Sequence, residues 1–263
     1  NLRNLPARIG TSLVAVIGIG GVVAVLVSLL SMGEGFRAAL DLSGSEDVAL
    51  VLRGGSSDEL SSSFNREQVN VIVSAPGILR DALGPVASPE FYTIVDLPMR
   101  STGTAANVPF RGVTSRATDV RSGFRMVAGR MFEPGKDEVI VGRGAFTQFG
   151  NVDLGREVRW GSHLWRVVGV CEAGGSISES EVWTDLAVLQ GVYRRGNSVQ
   201  VVRARLTAPA ALATVKRSLE DDPRVNVSVR SEREFYAHQS RILITLIRYV
   251  GTTIAVLMGI GAV

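Results

Sequence analysis

The sequence predicts an α+β membrane protein in which two apolar segments flank an extracytoplasmic domain of two lobes. Three observations indicate this class. The 263 residues are 46% hydrophobic, with a mean hydropathy of +0.22. No charged residue stands between Arg8 and Glu34, and none follows Arg248. Residues 34–240 carry all 25 acidic residues and 24 of the 28 basic ones, which is typical of a folded domain exposed to water.

The net charge of +3 does not indicate a nucleic-acid-binding protein. The excess comes from four arginines beside the apolar segments, whereas residues 34–240 are close to neutral. A nucleic-acid interface needs basic residues gathered on one face of a domain. The four arginines are Arg3, Arg8, Arg241 and Arg248. A single cysteine excludes a disulfide within the chain, and two histidines leave a metal site few ligands.

The first apolar segment, residues 9–33, is long enough to cross a membrane. As a helix it would extend about 37 Å, against a hydrocarbon core of about 30 Å. A cleaved signal peptide fits less well, because its apolar run is usually only ~7–15 residues and no cleavage motif follows here. Arg3 and Arg8 precede the segment, so the positive-inside rule predicts a cytoplasmic N-terminus. These two arginines are the predicted topology determinants, and residues 34–240 are expected outside.

The second apolar segment follows Arg248 and runs to Val263, extended upstream by Ile242 to Ile247. It predicts the start of a second transmembrane helix, of which this sequence contains only part. Both segments carry small residues four positions apart, which let membrane helices approach closely. The candidate packing residues are Gly20, Ala24, Ser28, Gly251, Ala255 and Gly259.

The region between the apolar segments contains two strand–helix–strand patterns far apart in sequence. The first has an apolar strand at residues 48–52 and a helix that begins at Asn65, with Gln68 as its capping partner. The second has a strand at 199–206, a helix at 209–219 and an alternating strand from Val225. Two such units predict a split, ferredoxin-like sandwich.

An insertion, roughly residues 95–197, separates these two units and is richer in glycine and short strands. Trp160-Gly161-Ser162-His163 predicts a hairpin turn. Short helices are expected at residues 143–149 and 184–190. The insertion therefore has its own candidate core.

Motifs for nucleotide chemistry are incomplete in this sequence. Lys136 follows a glycine but precedes Asp137, so no phosphate-binding loop is formed. The Gly-x-Gly pairs that begin at Gly18 and Gly142 lack the third glycine of a dinucleotide fingerprint. Neither a G-x-S-x-G nor an H-E-x-x-H motif occurs. We predict no catalytic, cofactor-binding or metal-binding residues, and hence a non-catalytic chain driven by another subunit or domain.

Acidic residues and the cysteine in the insertion have simple structural interpretations. Glu179, Glu181 and Asp185 stand near arginines, which is typical of a solvated surface. Cys171 follows a run of valines, which favours a small buried hydrophobic residue over a nucleophile.

Four segments stand in a recognisable order along the chain. They are residues 1–40 (NLRNLPARIGTSLVAVIGIGGVVAVLVSLLSMGEGFRAAL), 129–142 (GRMFEPGKDEVIVG), 165–170 (WRVVGV) and 247–263 (IRYVGTTIAVLMGIGAV). Together they resemble MacB/FtsX-like ABC transporter permeases over nearly the whole chain. The resemblance implies a MacB-like periplasmic core domain with a split porter-like α/β lobe and an inserted β-rich lobe. It also implies two more membrane helices after residue 263.

The resemblance and the sequence pattern together divide the chain into five parts. These are transmembrane helix 1 with its stalk (1–44), the first half of the porter-like lobe (45–94), the inserted β-rich lobe (95–197), the second half of the porter-like lobe (198–235), and a second stalk with the start of transmembrane helix 2 (236–263).

The function implied by the resemblance is that of a permease subunit in the bacterial cytoplasmic membrane. Such a subunit couples ATP hydrolysis by a partner ATPase to motions of its extracytoplasmic domain, for export, lipoprotein extraction or cell-envelope regulation. Implied partners are the ABC ATPase, which binds ATP and magnesium, a second permease copy or paralogue, the lipid bilayer, and a periplasmic or outer-membrane protein. No cofactor in this chain and no nucleic acid are expected.

Two membrane helices around one outer domain are also the plan of a transmembrane sensor or chemoreceptor, which remains the alternative. There the outer domain binds a small ligand and the second helix transmits the signal. Two further apolar segments after residue 263 would indicate a permease, and a signalling domain would indicate a sensor. An enzyme anchored by one helix is a third alternative.

Overall fold

The computed structural model describes residues 16–21, 23–28, 30–31, 33–35, 44–121 and 123–261. The chain divides into two compact units. One unit contains the two ends of the chain, Asn1–Asp41 and Tyr236–Val263, and the other is Leu42–Phe235.

The unit of the chain ends contains two helical segments. Helix α1 (Val16–Gly35) has a mean hydropathy of 2.3, and within the described residues it is the one helix long and apolar enough to cross a membrane. Helix α7 (Glu232–Gly261) is a continuous helix of 30 residues that begins in the other unit and includes the second apolar segment. A membrane-spanning role for α7 stays a prediction.

The second unit, Leu42–Phe235, is built on a ten-stranded mixed sheet with the strand order β12-β1-β11-β4-β5-β10-β7-β9-β6, and β8 pairs with β9. The strands of this sheet are β1 (Val48–Arg53), β4 (Ala87–Pro98), β5 (Ala105–Val113), β6 (Phe124–Gly129), β7 (Glu138–Gly142), β8 (Glu157–Trp160), β9 (His163–Ala173), β10 (Val182–Asp185), β11 (Val201–Arg205) and β12 (Val227–Ser231). A separate small hairpin consists of β2 (Arg80–Asp81) and β3 (Gly84–Pro85). The helices are α2 (Arg66–Val73), α3 (Ala117–Val120), α4 (Arg143–Gln148), α5 (Leu186–Val192) and α6 (Leu212–Glu220).

Strand β4 connects the two halves of this sheet. Its residues 87–90 pair with β11, and its residues 91–98 pair with β5, both in antiparallel register. Two pairs in the insertion, β5 with β10 and β7 with β9, are parallel. A single 12-residue strand therefore belongs to both halves of the sheet.

The two sequence-distant strand–helix–strand units share one half of the sheet. Strand β1 lies between β11 and β12, antiparallel to both. The predicted capping box is confirmed, since the Asn65 side chain accepts from the Gln68 N–H and the Gln68 side chain accepts from the Asn65 N–H. The helix predicted at 209–219 begins with a 3₁₀ turn at Pro209 and continues as α6. Apolar residues of the two strand–helix–strand units form one hydrophobic cluster. Its members include Val51, Ile72, Val202, Val215 and Val229.

The insertion forms a second hydrophobic cluster around Phe110, whose ring lies 5.0 Å from both Trp160 and Trp165. The hairpin at Trp160–His163 is confirmed by the pairing of β8 with β9. The helix predicted at 143–149 is α4. The helix predicted at 184–190 begins too early, because Thr184 belongs to β10 and Asp185 is the N-cap of α5. Pairing of β10 with β5 and β7 on either side accounts for this difference.

Candidate functional site

A cluster of buried charged side chains lies inside the second unit, where the two halves of the sheet meet. Each member is at most 9% exposed. They come from the loop after β1, from β4, β5 and β11, from the residues next to α3 and β10, and from the first turn of α7. We call this the ion cluster, and its members are Glu59, Glu90, Arg111, Arg121, Glu181, Arg203 and Glu232.

Strand alternation explains why arginines reach this position. Val202 and Ala204 of β11 belong to the first hydrophobic cluster, so Arg203 between them points to the opposite face. In β5, Phe110 belongs to the second hydrophobic cluster, and Arg111 points away from it. Each arginine is therefore placed by the apolar neighbours on its own strand.

Glu90 is the centre of the ion cluster and is fully buried. Its carboxylate accepts two hydrogen bonds from Arg121, at 2.7 and 2.8 Å, one from Arg111 at 3.0 Å and one from Arg203 at 3.2 Å. Burial alone would raise the pKa of this carboxyl. The charges of Arg121, Arg111 and Arg203 together outweigh burial and lower the pKa of Glu90 to about 2.

Arg111 joins Glu90 to two further carboxylates. Its Nη2 lies 2.8 Å from Glu59 Oε2 and 2.8 Å from Glu181 Oε1. Burial opposes ionisation of Glu59, but Arg111 and Arg203 outweigh it and lower the pKa of Glu59. The indole N–H of Trp183 donates to Glu181 at 2.7 Å. The Glu181 carboxylate is thus held by a guanidinium and an indole at once.

Glu232 attaches the first turn of α7 to the ion cluster. Its Oε1 accepts from Arg203 Nη1, and its Oε2 accepts from the Ser45 N–H at 3.3 Å. Burial dominates here and raises the pKa of Glu232, although Arg203 opposes this rise. The same turn is capped by the Ser231 hydroxyl, which accepts from the Glu234 N–H at 3.0 Å.

A second contact between the start of α7 and the chain before β1 is exposed. Arg233 donates to Glu46 at 2.8 Å, with both side chains more than half exposed. A side chain at Gly44 would overlap the backbone of Arg233, so the two segments are closely packed. The first turn of α7 therefore contacts both β11 and the segment that leads into β1.

The interpretation of Glu179, Glu181 and Asp185 as a solvated surface is wrong for Glu181, which is 4% exposed. Glu181 is buried because Arg111 and the indole N–H of Trp183 donate hydrogen bonds to its carboxylate inside the protein. Glu179 accepts from the N–H groups of Ala173 and Gly175, at 2.8 and 2.7 Å. Asp185 accepts from the Val188 N–H at 3.0 Å as the cap of α5.

Sequence reasoning missed the other members of the ion cluster, and it interpreted Cys171 correctly. Charged residues inside apolar strands, such as Arg203 in VVRAR, were the available signal. Cys171 is buried, and burial raises the pKa of its thiol to about 12, so a nucleophilic role is not favoured.

The candidate packing residues fall on the two terminal helices. Gly20, Ala24 and Ser28 lie in α1, where the Ser28 hydroxyl donates to the Ala24 carbonyl at 2.7 Å. Gly251, Ala255 and Gly259 lie in α7. Their role in helix packing stays a prediction, and the topology determinants Arg3 and Arg8 lie outside the described residues. The described part of the chain contains no group of three His, Cys, Asp or Glu residues arranged to hold a metal.

Comparison with known proteins identifies the family. Residues 12–222 match the MacB-like periplasmic core domain. The chain belongs to this family. It therefore carries the mixed α/β periplasmic core domain of a MacB/FtsX-like ABC transporter permease. No protein among those with curated functions matches the chain.

Two crystal structures of the same fold resemble this MacB-like domain. The extracellular domain of the noncanonical ABC-type transporter YknZ from Gram-positive bacteria is 20% identical, with a TM-score of 0.50, over 70% of this chain and 100% of that one. The periplasmic region of MacB from Actinobacillus actinomycetemcomitans is 11% identical, with a TM-score of 0.51, over 73% of this chain and 92% of that one. At these identities the two structures establish the fold.

Proposed function

We propose that the chain is the permease subunit of a MacB/FtsX-type ABC transporter and couples cytoplasmic ATP hydrolysis by a partner ATPase to motions of its outer domain. Membership of the MacB-like family supports the class of protein. The observation that carries the coupling role is the continuity of α7, which begins at Glu232 in the ion cluster and continues through the apolar C-terminal segment.

In this proposal α1 and the C-terminal part of α7 cross the bacterial cytoplasmic membrane, and residues 34–240 lie outside. The apolar character of α1 supports the first span. The two hydrophobic clusters support an outer domain of two lobes, with the insertion 95–197 contributing most of the second. Multi-pass topology, with further helices after residue 263, belongs to the same proposal.

The ion cluster supplies a route by which α7 moves the sheet. Displacement of the first turn of α7 acts on Glu232 and, through Arg203, on β11. Arg203 shares Glu90 with Arg111, so the same displacement reaches β4 and β5. Buried hydrogen bonds to guanidinium groups transmit such motion because separation would leave a buried charged partner without its hydrogen bond.

The proposal includes three kinds of protein partner: an ATPase, a second permease and a protein on the outer side. Core domains of this family are in general non-catalytic parts of transporters, and we propose that ATP and magnesium are bound by an ABC ATPase subunit. A second permease copy or paralogue completes the transporter, and a periplasmic or outer-membrane protein receives its output. Export, lipoprotein extraction and cell-envelope regulation are the three classes of output.

The test uses the chain reconstituted in lipid nanodiscs with the ABC ATPase that copurifies with it. A spin label at Ser57→Cys, an exposed position, reports the distance between the outer domains of two permease copies. We expect ATP with vanadate to change this distance, and the chain without the ATPase to hydrolyse no ATP. If this distance does not change with ATP but does change when a small extracellular solute is added, the result favours the sensor.

A pair of variants tests the route through the ion cluster. Glu232→Ala removes the link between α7 and Arg203, so we expect ATP hydrolysis to continue while the label at Ser57→Cys no longer moves. Glu46→Ala removes the exposed contact of the same turn and serves as the matched control. Equal coupling in both variants would contradict the proposed route.

A further inference from the structure

The ion cluster holds more negative than positive groups. Its members are four carboxyls and three guanidiniums, and all are at most 9% exposed. With every group ionised, these seven described residues would together carry a buried net charge of −1. An unpaired buried charge is strongly unfavourable, and a carboxyl in this position relieves it by binding a proton.

The number of hydrogen bonds that each carboxyl accepts indicates which one binds the proton. Among the described residues, Glu90 accepts four hydrogen bonds, all from guanidinium groups. Glu59 and Glu181 accept three each. Glu232 accepts two, one from Arg203 and one from the Ser45 N–H at a long 3.3 Å. Glu232 is therefore the carboxyl whose ionised form is compensated least.

The charged groups around Glu232 agree with this assignment. From β11, Arg203 favours the ionised carboxylate, and Arg121 adds a weaker attraction from beside α3. From β4, the ionised Glu90 repels a second negative charge at Glu232. On its own turn and on the segment before β1, the charged side chains of Arg233 and Glu46 are exposed and paired with each other. Solvent screens that exposed pair, so it contributes little to the charge balance.

We propose that Glu232 is a proton-binding site whose proton balances the ion cluster, and that loss of this proton to solvent loosens the first turn of α7 from the sheet. A response of α7 to extracytoplasmic pH rests on the proposed function, in which the outer domain faces the medium.

The direction of the effect follows from proton linkage. Protonated Glu232 is favoured while the first turn of α7 contacts the sheet, and ionised Glu232 is favoured when the side chain is in water. The stabilisation that this proton provides is therefore fully present below the ordinary pKa of a glutamate, about 4.5, and is lost as the pH rises through the higher pKa that Glu232 has in contact with the sheet.

The test is hydrogen exchange of the full chain in phosphatidylcholine nanodiscs, followed by mass spectrometry of peptides that cover residues 232–239. We expect the opening of this turn, corrected for the intrinsic pH dependence of exchange, to increase with pH by up to about tenfold per unit for one proton. Glu232→Gln should abolish this dependence, because the amide reproduces the neutral acid. Glu46→Gln should leave the dependence unchanged, since this carboxylate is exposed.

Three outcomes would overturn the proposal. They are a wild-type turn whose opening does not change with pH, a Glu232→Gln variant that keeps the dependence, and a Glu232→Gln variant that fails to fold. The last outcome would mean that the cluster needs the ionised form. No ATPase takes part in this experiment, so its failure leaves the proposed permease function standing, and loss of ATP coupling would leave the titration unaffected.

Discussion

Glu90→Gln is the substitution that tests most directly what holds the centre of the sheet together. Both carboxylate oxygens of Glu90 accept only from guanidinium groups, so either orientation of the new amide directs an N–H at another donor. The fall of the Glu90 pKa from 4.5 to about 2 corresponds to about 3 kcal/mol in favour of the ionised form. Loss of one member of a buried ion pair typically costs about 3–5 kcal/mol. We expect Glu90→Gln to lower the free energy of unfolding by about 3–5 kcal/mol. The total for a domain is about 5–15 kcal/mol.

The assay is denaturant unfolding of the full chain in detergent, followed by tryptophan fluorescence. All three tryptophans are buried in the second unit, and Trp183 bonds to the ion cluster through Glu181, so the signal reports this domain. Glu46→Gln is the control, because an exposed ion pair contributes about 0–1 kcal/mol. If Glu90→Gln costs no more than this control, the charge of Glu90 does not hold the sheet together and the reasoning fails.

The topology, the acid stability and the two-lobe organisation can each be tested separately. Ser57→Cys should react with an impermeant thiol reagent on intact cells, while buried Cys171 gives no background; labelling only after lysis would contradict the topology. Acid should destabilise the domain as the pH falls from about 4.5 to about 2, because the pKa of Glu90 is lowered in the folded state and its protonation removes stability. A stability, measured by circular dichroism, that stays constant over this pH range would refute this. Val202→Asp should increase hydrogen exchange mainly around the first hydrophobic cluster, and Val167→Asp mainly around the second. An equal increase around both clusters in either variant would argue against two lobes.

Local signals in the sequence were sufficient for the elements that short-range interactions determine. The capping box at Asn65 needs only residues three apart, and the β8–β9 hairpin needs only its two-residue turn. The start of α5 was placed too early because Thr184 has no local feature that separates a strand from a helix. Its strand state comes from β5 and β7 on either side.

The ion cluster could not be predicted because its contacts join distant parts of the chain. Arg111 and Glu181 are 70 residues apart, and Arg203 and Glu59 are 144 apart. An arginine inside an apolar strand, such as Arg203, signals a buried charge, but the sequence does not show which distant residues would pair with it. Only the strand order, which brings β11, β4, β5 and β10 together, shows that they share one interior.

The place of β1 between β11 and β12 has a consequence for biosynthesis. Among the described strands, β1 is made first, and both of its partners lie at the far end of the domain, as in the pairings of Leu50 with Arg203 and with Arg230. At about 5–20 residues per second, the ribosome needs on the order of ten seconds to make the chain between them. During that time the insertion can begin to fold, while β1 waits with two unpaired edges. Unpaired edges promote aggregation, so newly made β1 is an aggregation-prone segment until β11 and β12 have been made.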